Sequence, residues 1–231
     1  MKRVAILQPN YIPWRGYFDL INYVDEFIIY DDAQYTKRDW RNRNIIKTPK
    51  GLSWLSIPVE VKGKYLQKIK DTKISSSFWQ KKHLDTIKFC YLKAKYFKLI
   101  YSLIEPLYIR KPYVYLSETN INFLKAINSF LDIKTVISKS SDFSLPHGKN
   151  DRLIYLVKKA KGDIYVSGNS AKNYLDLNVF ANNEVIVEWY NYSHLIEYEQ
   201  LWGKFENFVS VIDLLMNVGP KSKTHINLNK K

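Results

Sequence analysis

Cysteine is nearly missing from this chain: of 231 residues, only Cys90 is one. No internal disulfide can therefore form. Cys90 sits in Ile87-Lys88-Phe89-Cys90-Tyr91, where a helix and a small buried hydrophobe are expected rather than a nucleophile. No apolar run approaches the roughly 20 residues a membrane helix needs. Met1-Lys2-Arg3 precedes too few apolar residues before Gln8-Pro9 to make a signal peptide, so the expected location is the cytoplasm. Histidine is scarce too. His83, His147, His194 and His225 share no metal-ligand spacing, and no zinc site is expected. There is no Gly-x-Ser-x-Gly elbow to support a Ser–His–Asp triad. Zinc-finger spacing and RNA-recognition motifs are also absent.

Acidic residues are in deficit, 22 against 36 lysines and arginines, for a net charge of +14. Such a balance points to an anionic partner: nucleic acid, an anionic membrane surface or a phosphorylated small molecule. The lysines are scattered, as at Lys62, Lys64, Lys68, Lys70 and Lys73, a pattern that an AT-rich genome also produces. Nucleic acid is therefore not the expected partner.

Hydrophobic residues make up 46% of the chain, enough for a sizeable core. Arg3 to Gln8 reads as a buried strand ended by Pro9, Trp14 to Val24 as a helix, and Phe27 to Tyr30 as a second buried strand. This βαβ start predicts a parallel sheet, with ligands bound beyond the carboxyl ends of its strands. Asn44–Lys47 and Leu52–Val59 flank the turn Thr48-Pro49-Lys50-Gly51. Helices are expected over Phe78–Lys93, Tyr96–Tyr108 (closed by Pro106) and Tyr115–Leu131. Further strands are expected at Thr135–Ile137, Asp163–Val166 and Val185–Tyr190. Helices are expected over Asp151–Lys161, from Lys172, and over Phe208–Met216. The expected architecture is a single α/β domain over 1–231 with a parallel-sheet core. A helical insertion would span about 75–132 and a loose basic tail about 219–231.

The stretch Val4 to Trp54 carries more aromatic, guanidinium and amide side chains than a fold needs. Gln8, Tyr11 and Trp14 follow the first strand. Asp31-Asp32 follows the second, where it could hold Mg²⁺, serve as a base, or simply cap a turn. Gln34, Tyr35, Lys37, Trp40, Arg41, Asn42, Arg43 and Asn44 come next. Guanidinium groups bind phosphate or carboxylate bidentately and aromatic rings stack on a base or sugar. A charged hairpin edge would have the same composition. Ser167-Gly168-Asn169-Ser170, with Lys172, forms a small-residue turn between strand and helix. It suits an anion or a plain N-cap, and it lacks Walker spacing. His147, in a loop, is the most plausible titrating histidine.

Gln8-Pro-Asn-Tyr-Ile-Pro-Trp-Arg-Gly-Tyr-Phe18 resembles the opening signature of the WbqC-like family. So do Asp31-Asp-Ala-Gln-Tyr35, Trp40-Arg-Asn-Arg-Asn44, Trp54-Leu-Ser-Ile-Pro-Val59, Tyr165-Val-Ser-Gly168 with Tyr174-Leu175, and Ser210-Val-Ile-Asp-Leu-Leu215. The resemblance spans nearly the whole chain. It implies a setting in the assembly of O-antigen or other surface polysaccharides. A second likeness, to nucleotidylyltransferase-like α/β folds, rests on the first strand, the Trp14-x-Gly16-Tyr17 helix start and the Ser167–Lys172 turn. Trp14 and Tyr17 stand where that group carries histidines that stabilise phosphate charge. The expected activity is acyl or aminoacyl transfer to a nucleotide-linked amino sugar, with coenzyme A, a carrier protein or ATP involved on the donor side. In this reading Asp32 or His147 moves the proton. An ATP-dependent ligase or nucleotidylyltransferase is the alternative, followed by a non-catalytic glycan-assembly or RNA-binding protein.

Overall fold

The computed structural model describes residues 1–110 and 112–226. In chain order the elements are β1 (Arg3–Leu7), α1 (Arg15–Tyr23), β2 (Glu26–Ile29), β3 (Arg43–Thr48) and β4 (Gly51–Ser56). Then come α2 (Phe78–Tyr91), α3 (Phe97–Ile109), α4 (Leu116–Phe130) and β5 (Val136–Lys139). The last are α5 (Lys149–Lys159), β6 (Ile164–Gly168), α6 (Leu177–Asn182), β7 (Ile186–Tyr190) and α7 (Val211–Val218).

Five strands form one sheet in the order β5-β2-β1-β6-β7, every neighbouring pair parallel. The chain lays down β1, β2 and β5 in one direction, then crosses back to place β6 on the other side of β1. The order therefore reverses between β1 and β6, and a crevice opens there at the carboxyl ends of the strands. The α/β class and parallel sheet agree with the sequence reading. β3 and β4 form a separate antiparallel hairpin.

The pleat sorts the strand residues into two layers. Ala5, Phe27, Ile29, Ile164 and Val166 face α1, α7 and the three helices α2–α4 in one continuous buried cluster. Val4, Ile6, Ile28 and Tyr165 face α5 and α6 in a second. Both faces are covered, which is why these strands read as apolar runs rather than alternating ones.

Several local expectations are corrected. Pro106 lies inside α3, which continues to Ile109. Burial of Ile104 and Tyr108 on either side outweighs the one hydrogen bond the proline cannot make. Lys172 belongs to a 3-10 turn over Asn169–Asn173, and the α-helix begins only at Leu177. There the Asp176 side chain accepts from the Asn178 and Val179 amides. The last α-helix starts at Val211, not Phe208, because Ser210 caps it through Ile212 N. The tail is not loose where it is described: Gly219–His225 is 3-10 helix, with Ser222 and Ile226 buried. Residues 227–231 of the expected tail lie outside the described residues. Among those described, no helix is long and apolar enough to cross a membrane.

Candidate functional site

The chain after β1 is held in place by backbone carbonyls that find side-chain donors. Tyr17 Oη donates to the Gln8 carbonyl at 2.9 Å. Tyr11 N donates to Trp40 O at 3.0 Å, which draws the loop between β2 and β3 across the end of β1. Asn44 Nδ2 donates to the carbonyls of Tyr11 and Ile12, each at 3.0 Å. From α4, the buried Asn120 Nδ2 donates to Pro9 O at 3.0 Å and Arg41 O at 2.8 Å. One amide of the helical insertion thus joins the two loops that shape the site. Gly16 is required next to them, because a Cβ there would overlap the Trp14 indole.

These loops enclose a cavity of about 920 Å³ over the carboxyl ends of β1 and β6. From the expected set, Gln8, Trp14, Gln34, Arg41, Ser167, Gly168, Asn169 and Ser170 line it. The wall also holds Lys149 and Arg152 from α5, with Tyr17, Tyr30, Tyr174, Tyr192 and Phe208 among its aromatic rings. Arg41, Lys149 and Arg152 are cationic, and among the described residues no carboxylate, imidazole or thiol is part of the lining. Such a wall favours an anionic ligand with a flat ring. Burial holds the Tyr17 and Tyr192 hydroxyls well above the ordinary tyrosine range, so they remain protonated donors.

Two polar atoms in the lining residues are buried without a partner: Gln8 Oε1, an acceptor, and Arg41 Nε, a donor. Arg41 Nη1 is occupied, at 3.1 Å from Asp39 Oδ1 and 3.4 Å from Asn10 Oδ1. Burial lowers the Arg41 pKa from its ordinary value, against the pull of Asp39. Arg152 is oriented through Nε, which donates to Pro146 O at 2.8 Å.

The remaining expected residues lie elsewhere. Asp32 is absent from the cavity wall; Lys68 and Lys70 hold it at 2.9 and 2.8 Å. Partial burial opposes its charge, yet the two ammonium groups prevail and hold its pKa below the usual range, which suits an ion-pair anchor better than a base. Asp31 accepts from Ser140 Oγ, Ser141 N and Ser141 Oγ and so fixes the loop after β5. Among the described residues, no group of three His, Cys, Asp or Glu is placed to hold a metal ion. His147 is exposed and outside the lining. Tyr11 is buried against His83 and Tyr108, and Tyr35 is buried in the core. Asn42 donates to Ile57 O and Asn44 supports the backbone. Arg43 lies over Trp54, Trp40 packs on the same indole, Lys37 lies over Tyr65 and Lys172 over Trp189.

Sequence reasoning passed over Lys149 and Arg152. Lys149 precedes the expected helix start, and Asp151 between the two cations is the acidic residue usual in a first turn, so the local charge pattern gave no clear sign. Tyr192, Asn207 and Phe208 carried no signal either, because they arrive from the irregular chain between β7 and α7.

No solved structure matches the chain significantly. A relative from Mycobacterium tuberculosis, described as uncharacterized protein Rv1507c, is 49% identical over 226 residues, 98% of each chain. The model of the WbqC-like protein family matches residues 8–225, a span that begins just after β1 and contains the cavity-lining residues other than Ile6 and Leu7. The chain belongs to the WbqC-like protein family.

Proposed function

We propose that the cavity binds a nucleotide-linked amino sugar and that the protein transfers an acyl or aminoacyl group to its amine. Family membership suggests a role in polysaccharide biosynthesis, which supplies the setting. The observation that carries the reading is the wall itself: three cations, several aromatic rings and no carboxylate, at the switch point of a parallel sheet. Lys149 and Arg152 hold the phosphates beside Ser167 and Ser170. A ring from the Trp14 side stacks on the base or sugar. Gln8 Oε1 accepts from the amine or a hydroxyl.

The missing base fits this chemistry. A sugar amine, with a pKa near the roughly 8 of an α-amino group, is partly neutral at physiological pH and needs no residue to expose its lone pair. An already activated donor, such as a thioester of coenzyme A or a carrier protein, then suffices. Asp32 and His147 are given no proton-transfer role here.

A second reading, ATP-dependent ligation or nucleotidyl transfer, draws support from the same feature. A carboxylate or phosphate nucleophile arrives ionised and also needs no base, while Lys149 and Arg152 suit a triphosphate. Calorimetric titration with uridine-diphosphate glucosamine, ATP, coenzyme A and RNA separates the cases. Saturable binding of the amino-sugar nucleotide, followed by acylation of its amine when a thioester is added, is expected. Binding of ATP alone would favour the second reading, and binding of RNA alone would remove both.

A further inference from the structure

The three cations of the cavity stand on opposite sides of the sheet. Lys149 and Arg152 begin α5, which packs on the face carrying Val4, Ile6 and Tyr165. Arg41 lies above the other face, in the loop that Asn120 ties to Pro9, with Tyr17 and Tyr35 close enough to act on its charge. A single phosphate group engaging all three would have to reach across the edge of the sheet.

The state of the Arg41 guanidinium is specific. Nη1 is clamped by Asp39 and Asn10. Asp39 is itself fixed, with Thr36 Oγ1 at 2.7 Å on one oxygen and the Trp40 amide at 2.7 Å on the other. Nε is buried and has no partner, and among the described residues the hydrogen bonds of the guanidinium are made at Nη1. The edge without a protein acceptor is therefore the Nε–Nη2 edge, whose two parallel N–H bonds match the two oxygens of one planar carboxylate. No other cation lines this side, and no helix begins there except α1 at Arg15, whose first turn has Trp14 folded over it.

We infer that the ligand carries two separate anionic groups, a phosphate at Lys149 and Arg152 and a carboxylate on its sugar end, received side-on by Arg41. The inference rests on the proposed nucleotide-sugar reading and narrows it to sugars of the uronate class. Gln8, also in the cavity wall, has a buried Oε1 without a donor, which an amino or hydroxyl substituent beside the carboxylate would supply.

The test is a matched pair of ligands, uridine-diphosphate glucuronate and uridine-diphosphate glucose, titrated against the parent protein, Arg41→Gln, Arg41→Lys and Arg152→Gln. The parent should prefer the uronate by about tenfold or more, the yield of one charge-assisted contact. Arg41→Gln should reduce that ratio to below about twofold, and Arg41→Lys should leave it in between, since an ammonium keeps the charge and loses the fork. Arg152→Gln should weaken both ligands by about tenfold and preserve the ratio. Equal affinities in the parent, or a ratio that survives Arg41→Gln, would overturn the inference while leaving nucleotide-sugar binding intact. If neither nucleotide sugar binds, the nucleotide reading fails, and free glucuronate against glucose in a thermal-shift assay decides the carboxylate alone. Stabilisation by glucuronate that Arg41→Gln abolishes supports the inference, and no stabilisation refutes it.

Discussion

The cavity and the aromatic nest around Tyr11 are built from the same turn of chain, yet they treat their polar atoms in opposite ways. In the nest, Tyr11 Oη lies 2.9 Å from His83 Nδ1 and 2.5 Å from Tyr108 Oη. His83 Nε2 lies 3.1 Å from Ser56 O, and the rings of Trp79 and Phe123 meet Tyr11 edge-on. Only Trp79 Nε1 is left over there. Three residues earlier, Gln8, a residue of the cavity wall, keeps a buried Oε1 without a partner, and Arg41 of the neighbouring loop keeps a buried Nε in the same state. Both regions are rich in aromatic side chains. What separates them is the disposition of hydrogen-bonding atoms: one region has settled its own, the other presents them to a ligand.

That contrast is broken most severely from the nest. Tyr11→Ala removes a fully buried ring and leaves His83 and Tyr108 facing a void, so it should cost about 3–5 kcal/mol of unfolding free energy. Urea denaturation measures it. A loss below about 1 kcal/mol would mean that the nest is not the support it is taken to be.

Acid probes the nest without mutation. Burial pushes the His83 pKa down to about 4 from the usual 6.5. The native imidazole therefore stays neutral while the unfolded one takes up a proton. Stability from this group is complete above pH 6.5 and is lost as pH falls towards 4, by about 3 kcal/mol in total. The His83→Gln variant should show a shallower fall over that interval. An identical pH dependence in both proteins would show that other groups govern the acid response.

The sheet was legible because its strands are short apolar runs bounded by Pro9 and Asp31, patterns that depend on neighbours in sequence. The Gln8, Trp14, Arg41 and Ser167 parts of the wall were legible for a related reason: each lies directly after a strand or in the dense stretch that follows one. The roles within Trp40–Asn44 were not. Arg41 and Arg43 are the same residue type two positions apart. Asn120 of α4, remote in sequence, fixes the Arg41 backbone, while Trp54 across the hairpin takes the Arg43 guanidinium. The partners of Asp32 were not legible either, because Lys68 and Lys70, which pair with its carboxylate, follow some 36 positions further along.

On the cavity side, Arg152→Gln should do the reverse of Tyr11→Ala. It lies at the start of α5, half-buried, with Nε donating to the Pro146 carbonyl. Stability should change by no more than about 0.5 kcal/mol, while affinity for the amino-sugar nucleotide falls by roughly 1.5–3 kcal/mol, the loss of one charge-assisted contact. Parallel denaturation and calorimetry on one preparation separate the two effects. A variant as unstable as Tyr11→Ala would place Arg152 in the fold rather than in the site.

The smallest effect is expected at Arg43, and it sharpens the comparison most. Like Arg41, Arg43 has a buried Nε without a hydrogen-bond partner. Here the guanidinium carbon lies 4.0 Å from the centroid of the Trp54 ring, and Nη2 donates to Arg38 O at 2.5 Å. The electron-rich indole face takes the place of an acceptor, so the charge is answered from within the hairpin. Trp40 packs on the same indole, with centroids 5.4 Å apart, which places this stack on the outer surface of β3 and β4. Truncation to alanine should remove a half-exposed cation–π contact worth roughly 0.5–1 kcal/mol of stability. Nucleotide-sugar affinity should stay within about twofold of the parent, since sites without shared partners act independently. Calorimetry on Arg43→Ala beside Arg41→Gln checks this directly. A tenfold loss at Arg43 would carry the site out onto the hairpin and erase the distinction between an arginine answered by the fold and one left open for a ligand.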